Sequence, residues 1–311
     1  MLNMNSALKL SLSTAAVFLI SGCQSVSLPS LPNFSSQPIA GPPMPAAPLA
    51  TYHVGDSYYY SNGVRETVVS IEPSTVTFIN AYKRKLVYFK DFTIPTAYSE
   101  NSVKQYSTQS NVTSSMWPLR IGKATKFYTK GSSTTIATGN VNTYDQRWDC
   151  AVDGTERVRV LAGEFDTFRI KCRRLSASNG KWWQNRTWNY SPMLGAYVLR
   201  RDFHKTRGAS ARELTAVRPS LKNLPKNVRS GIIHAWQTAL EYKKPGNLVS
   251  WTDPQTGASV QIEPITTYKD KGGQFCRTYK QYLTRKGETR IYSGVACRTG
   301  KLKWRTPRRR G

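Results

Sequence analysis

Acidic residues are scarce in this chain of 311 residues: 18 Asp and Glu stand against 45 Lys and Arg, leaving a formal charge of +27. A charge of that size keeps a positive potential over the surface and selects for anionic partners. Histidine is scarcer still, at His53, His204 and His234, and none of the three lies beside a cysteine at metal-ligand spacing. With no CxxC pair either, zinc is the weaker reading of the cysteines, and neither a metal nor a cofactor is expected. Long apolar runs are missing beyond the first two dozen residues. A bilayer-crossing helix needs roughly 20 apolar residues, so none is expected downstream. What the chain does have is a hydrophobic fraction of 39%, with 17 Tyr and 8 Trp, which is enough for real cores.

The apolar run over residues 10–20 follows Lys9 and ends in Ile20-Ser21-Gly22-Cys23. It is too short to span a membrane, and it resembles the lipobox of bacterial lipoproteins. The resemblance implies that residues 1–22 are a signal peptide and that Cys23 carries lipid (palmitate among its acyl chains) as the first residue of the mature protein. The protein would then be anchored to a membrane. Gln24 in place of an aspartate implies the outer membrane, on either its periplasmic or its surface face. Residues 23–50 hold no charge and many Pro and Ser. They read as a tether biased to polyproline II, at about 3.1 Å per residue where extended.

Four cysteines remain, Cys150, Cys172, Cys276 and Cys297. In an oxidising envelope an even set suggests disulfides, and sequence alone allows three connectivities. Pairing Cys150 with Cys172 and Cys276 with Cys297 is favoured, because each pair flanks a strand-turn-strand pattern. Each such loop would contribute about 3 kcal/mol in the chain-entropy model.

Residues 51–218 carry the pattern of short strands. Segments 57–61 and 64–71 flank the hairpin signal Asn62-Gly63, and further strands are expected at 75–80, 85–90, 124–129 and 134–137. The clearest unit is 148–160 followed by 163–173, with Val158 and Val160 alternating against Arg157 and Arg159, and two more strands end near Phe203. The fold class is all-β, an antiparallel barrel or sandwich. One amphipathic helix is expected over 227–243, stopped by Pro245-Gly246, packing on the sheet that follows. Strands at 249–251, 259–263, 274–283 and 289–298 then make a small sheet, so that 219–305 reads as helix plus β domain and 306–311 as a basic tail.

Two resemblances bear on function. The start Gly55-Asp56 with Ser61-Asn62-Gly63, the hairpin Val160-Leu161-Ala162-Gly163-Glu164-Phe165-Asp166-Thr167-Phe168, and the run Thr187-Trp188-Asn189-Tyr190-Ser191-Pro192 loosely resemble envelope lipoprotein domains for which no activity follows. Residues 239–304, with Trp251-Thr252-Asp253-Pro254, Ile262-Glu263-Pro264, Cys276-Arg277-Thr278-Tyr279 and Gly294-Val295-Ala296-Cys297-Arg298 in order, resemble the carboxy-terminal domain of the rickettsial seventeen-kilodalton surface antigen family. That resemblance implies an outer-membrane surface lipoprotein without a known enzymatic activity. The glycine-zipper segment that often precedes the domain has no counterpart in this chain.

The expected function is therefore a lipid-anchored envelope or surface protein with a structural or binding role. Its basic face, made of Arg277, Lys280, Arg285, Arg290, Arg298, Lys301, Lys303, Arg305, Arg308, Arg309 and Arg310, would contact an anionic envelope polymer, lipopolysaccharide, lipid headgroups or a host polyanion, with nucleic acid the weaker candidate. One alternative is an accessory subunit of an envelope assembly with a protein partner. Another is a cell-wall or glycan-processing enzyme using Glu164 and Asp166, which share a strand edge as paired glycosidase carboxylates do. Ser57, after Gly55-Asp56, lacks the later Asp-x-x-His that would activate it as a nucleophile. The segment 181–186 holds Trp182, Trp183 and Arg186 and could stack on sugar rings, although alternating strand aromatics more often pack a core.

Overall fold

The computed structural model describes residues 39–112 and 115–307. Cys23, the signal peptide, residues 23–38 of the expected tether, and Arg308, Arg309 and Arg310 lie outside the described residues. After β1 (Ile39–Ala40), twelve strands follow in chain order: β2 (Ser57–Tyr60), β3 (Arg65–Ile71), β4 (Thr75–Asn80), β5 (Lys85–Phe89), β6 (Tyr98–Glu100), β7 (Lys104–Val112), β8 (Ala124–Thr135), β9 (Val141–Val160), β10 (Gly163–Ser176), β11 (Trp182–Ser191), β12 (Ala196–His204) and β13 (Gly208–Arg218). Each pairs antiparallel with the next, and β13 returns to pair with β2, so the meander closes into a barrel. Closure leaves no free sheet edge in this body.

Local chemistry sets the hairpins. Gly63 takes a φ of 80° at the Asn62-Gly63 turn and Gly163 one of 137° after Leu161-Ala162, a region open to glycine and costly for other residues. Between the turns, β9 alternates buried Trp148, Cys150 and Val152 with half-buried Asp149 and Ala151, and then buried Val158 and Val160 with exposed Arg157 and Arg159. A break in register near Gly154 changes the phase.

The strands differ from expectation in length and number. The pair expected at 124–129 and 134–137 belongs to one strand of 12 residues, β8, and β9 runs for 20. β6, β7 and β13 were not expected at all, because β7 (KQYSTQSNV) shows almost no apolar alternation. Its hydrogen bonds to β8 over nine register pairs hold it instead.

Residues 39–50 do not serve as a free spacer, which corrects that part of the tether reading. β1 pairs with β9, Ala47 and Leu119 exchange backbone hydrogen bonds of 3.1 and 2.7 Å, and Tyr190 donates its hydroxyl to the Pro48 carbonyl at 3.1 Å. Small Ala47 and Ala50 are buried against the barrel. The prolines that read as polyproline here give a strap with no internal hydrogen bonds, free to lie on a neighbouring surface.

The remainder is α1 (Lys226–Tyr242) followed by a five-stranded antiparallel meander, β14 (Val249–Thr252), β15 (Ser259–Lys269), β16 (Phe275–Arg285), β17 (Glu288–Gly300) and β18 (Lys303–Arg305). The helix buries Val228, Ile232, Ala235, Trp236, Ala239 and Leu240 on one face, and side chains such as Ile232 and Leu240 each contribute about 1.5–3 kcal/mol when fully buried. Gly231 admits the Trp251 ring where a Cβ would collide with it. One hydrophobic core runs from Tyr58, Phe78 and Leu214 of the barrel to Leu240, Tyr279 and Trp304 of the last sheet. A single bridge, Ala216 to Gly294, joins the ladders of barrel and sheet.

Candidate functional site

The two expected disulfides are present, Cys150–Cys172 across β9 and β10 and Cys276–Cys297 across β16 and β17. In each, the cysteines are direct cross-strand partners with Cα atoms 4.0 Å apart. Among the described residues the grouping closest to a metal site places Asp270 beside Cys276 and Cys297, whose sulfurs are consumed by their mutual bond.

The eight of the eleven expected basic residues that the structure describes do not form one face. Strand periodicity divides them, because 277 and 285 on β16 differ in parity from 280. On the helix side, Arg277 donates to the Lys243 carbonyl at 2.6 Å and lies 5.7 Å over the Trp304 ring. This stabilises the carbonyl end of α1, whose last turn has no basic residue of its own. Arg285 donates to the Ser220 carbonyl at 2.8 Å. Arg290 makes two 2.9 Å bonds to Glu288, and Arg298 grips both oxygens of Glu241 at 3.1 and 2.6 Å. Arg277 and Arg298 thus join the last sheet to α1, Arg285 joins it to the link before the helix, and Arg290 pairs within β17. Lys280 emerges on the opposite side of the sheet. Lys301, Lys303 and Arg305 stay exposed at the β17–β18 hairpin and in no ion pair among the described residues.

The paired carboxylates are likewise engaged. Asp166 receives two bonds from Arg157 at 2.6 and 3.0 Å, and Glu164 is paired with Arg159 at 3.0 Å. Ser57 hydrogen bonds to Thr67 across β2 and β3 at 2.8 Å, which is strand packing. Its neighbour Asp56 is the more telling residue. It is 2% exposed, accepts from the Ser220 amide at 3.2 Å and from the Tyr292 hydroxyl at 3.2 Å, and so ties the strand after the strap to the interdomain link and the last sheet. Burial pushes its carboxyl up to about 6, against the pull of Ser220 and Tyr292.

Inside the barrel lies a polar constellation that the sequence reading did not assemble. Trp148 and Trp188 flank Arg186, whose guanidinium carbon is 5.5 and 5.3 Å from their ring centres, and Arg200 lies 5.1 Å over Trp188. Asp202 bonds both arginines at 2.5 Å. Burial opposes the Asp202 charge, but Arg186 and Arg200 overcome it and hold the carboxyl below its usual range. Burial, with Arg200 next, pushes Arg186 down to about 10. Arg186 had been grouped with Trp182 as a sugar-stacking surface. A register shift separates them: the β10–β11 ladder slips between Gln184 and Trp182, so Trp182 stacks on exposed Phe203 at 5.9 Å, while Arg186, Trp188 and Tyr190 share the interior. The shared face of Gln184, Arg186, Trp188 and Tyr190 was available in their alternation, whereas the slip that turns Trp182 away was not.

A second interior group places Arg212 over Tyr60 at 5.2 Å, with Glu66 accepting the Tyr88 hydroxyl at 2.9 Å. Above these, Phe92, Trp117, Trp188, Tyr190 and Tyr197 form a continuous aromatic cluster with ring centres 4.8–5.7 Å apart.

One cavity of about 410 Å³ opens beside the strap. Met44–Pro48, the β10 residues Glu164, Phe165 and Asp166, the β11–β12 turn at Ser191, Pro192 and Met193, and Lys280 from β16 line it.

Against known proteins, residues 238–305 match the family model described as 17 kDa outer membrane surface antigen. The 17 kDa surface antigen of Rickettsia bellii is 35% identical over 68 residues, covering 22% of this chain and 43% of that protein. Those of Rickettsia prowazekii, 34% identical over 68 residues, and Rickettsia australis, 37% over 62, are similar to the same extent. Among solved structures, the hypothetical lipoprotein YmcC of Escherichia coli aligns with 53% of this chain and 83% of its own at 10% identity and a TM-score of 0.37, too low to assign a fold. The chain spans less than half the length of the curated relatives it matches. The last turn of α1 and the last sheet, with Cys276, Arg277, Gly294, Cys297 and Trp304, are thus similar to the 17 kDa surface antigens, and the barrel and the rest of α1 lie outside that match.

Proposed function

We propose that this protein is a lipid-anchored component of the bacterial outer membrane, held by Cys23, that binds an anionic envelope polymer or lipid headgroups and performs no chemistry. The observation that carries the binding reading is the β17–β18 hairpin. Lys301, Lys303 and Arg305 are exposed there without ion pairs among the described residues, while Arg277, Arg285, Arg290 and Arg298 are committed to internal partners. Basic side chains near an anionic surface contribute about 1 kcal/mol each and act within roughly a Debye length, so three clustered charges suffice for salt-sensitive contact. Two observations support the anchor and the location: the lipobox-like start and the similarity of residues 238–305 to outer-membrane surface antigens. The engagement of Glu164 and Asp166 by Arg159 and Arg157 speaks for binding over glycan hydrolysis. The test is cosedimentation of the purified protein with lipopolysaccharide and with anionic or neutral vesicles over a salt series. Binding to the anionic surfaces that weakens with salt is expected. Equal binding to neutral vesicles, or none to any anionic surface, would falsify the reading.

A further inference from the structure

Lys280 lines the cavity beside the strap from β16. Its cross-strand neighbour on β15 is Glu263, yet no ion pair joins them. At the rim, Glu164 and Asp166 are neutralised by Arg159 and Arg157, so the unbalanced charge lining the cavity is the Lys280 ammonium. The other walls are Met44, Phe165, Pro192 and Met193, apolar groups of which the methionines adapt readily to a ligand's shape. A volume of about 410 Å³ falls within the roughly 300–1,000 Å³ of small-molecule sites.

We propose that this cavity binds a small amphipathic anion, an apolar body bearing a single carboxylate or phosphate, with the Lys280 ammonium pairing its charge. The site goes beyond the surface contact made by Lys301, Lys303 and Arg305, and does not depend on it. Four segments far apart in sequence converge here: the strap, the start of β10, the β11–β12 turn and β16. The site therefore exists only when residues 44–48 lie on the barrel and the antigen-like sheet is docked beside it.

The five methionines of the chain make the test direct. Met44 and Met193 line the cavity, while Met116, fully buried in the cluster behind Met44 and not lining the cavity, is the internal control. The full chain, labelled with ¹³C-methyl methionine, is titrated with decanoate, decyl phosphate, decanol and inorganic phosphate below micelle-forming concentrations. Saturable shifts at Met44 and Met193 with decanoate or decyl phosphate are expected, with Met116 unmoved. Which anion binds tighter identifies the headgroup. Decanol and inorganic phosphate should each need at least tenfold higher concentration. Lys280→Gln should weaken the decyl anion tenfold or more without changing decanol, and Lys280→Arg should retain binding. Several results would overturn the proposal: no saturable shift at the two cavity methionines, decanol binding as tightly as the anions, inorganic phosphate alone reproducing the shifts, or Lys280→Gln titrating like the wild type while its Met116 resonance reports an intact fold.

Discussion

The β9–β10 and β16–β17 hairpins use the same device in different surroundings. Each carries one cross-strand disulfide, and the bridged residues are 22 apart in the barrel and 21 apart in the last sheet. Loop-closure entropy is therefore nearly equal for the two, roughly 3 kcal/mol each. Their packing is not. Cys150 and Cys172 belong to a large cluster with Phe127, Trp148, Val152, Ile170 and Trp188, whereas Cys276 and Cys297 pack with Val295 and half-buried Leu161 alone. The comparison separates what a bridge does to the unfolded chain from what its sulfurs do in a core. The barrel holds its hairpin by apolar burial as well as by the bond. In the smaller sheet the bridge lies apart from the main core, to which Val260, Ile262, Tyr279 and Leu283 contribute, and arginines satisfy carbonyls and carboxylates around it.

The largest effect expected follows from this difference. Replacing both cysteines of one bridge by alanine should cost about 3 kcal/mol in the last sheet from the lost cross-link, and about 1–2 kcal/mol more in the barrel, where a cavity is left. Urea midpoints for the two double variants measure it. Equal losses would mean that the packing difference has no energetic weight.

Next comes the tie between the regions. The folded protein holds the Asp56 proton more tightly than the unfolded chain, with its carboxyl raised from 3.8 to about 6. The group therefore favours folding below the unfolded value, and its contribution is lost as pH rises through the folded one, a change of about 3 kcal/mol across that window. Asp56→Asn removes this dependence, so its stability relative to wild type should improve by about that amount between pH 4 and pH 7. A gap that stays constant with pH would show that Asp56 keeps an ordinary affinity for its proton.

Smaller again is the seam itself. A Cβ on Gly294 would sit 2.7 Å from the Ala216 Cβ, and overpacking of this kind typically costs about 1–3 kcal/mol. Gly294→Ala should therefore lower stability and raise the rate of proteolysis between barrel and sheet. Gly154→Ala is the barrel control, since its Cβ would meet nothing nearer than the Arg169 side chain at 3.7 Å. Similar behaviour of the two would remove the seam from the account.

Much of this was legible in the sequence wherever chemistry is local. The hairpins at Asn62-Gly63 and Leu161-Ala162, the helix found at Lys226–Tyr242 against an expected 227–243, and both cysteine pairings follow from period, turn residues and spacing. What escaped is held by partners distant in sequence. β7 is polar along most of its length and exists because β8 offers it a ladder. The strap is fixed by Ala47 against Leu119 and by Tyr190 on Pro48, contacts that no window of residues 24–50 contains. The site divides in the same way. The basic cluster was counted along the chain, and counting ignored that adjacent strand positions face opposite sides. Parity alone would have set Lys280 apart from Arg277 and Arg285. That Arg277 finds the end of α1 and Arg298 finds Glu241 could not have been read without the docked helix.

The central claim is that the arginines of the antigen-like module build it while the terminal hairpin makes the contact. The direct measurement is affinity for lipopolysaccharide or anionic vesicles at low salt, comparing the wild type with a chain carrying glutamine at Lys301, Lys303 and Arg305. At about 1 kcal/mol per charge, the triple variant should bind roughly a hundredfold more weakly, with an unchanged urea midpoint. Wild-type affinity in that variant would contradict the account.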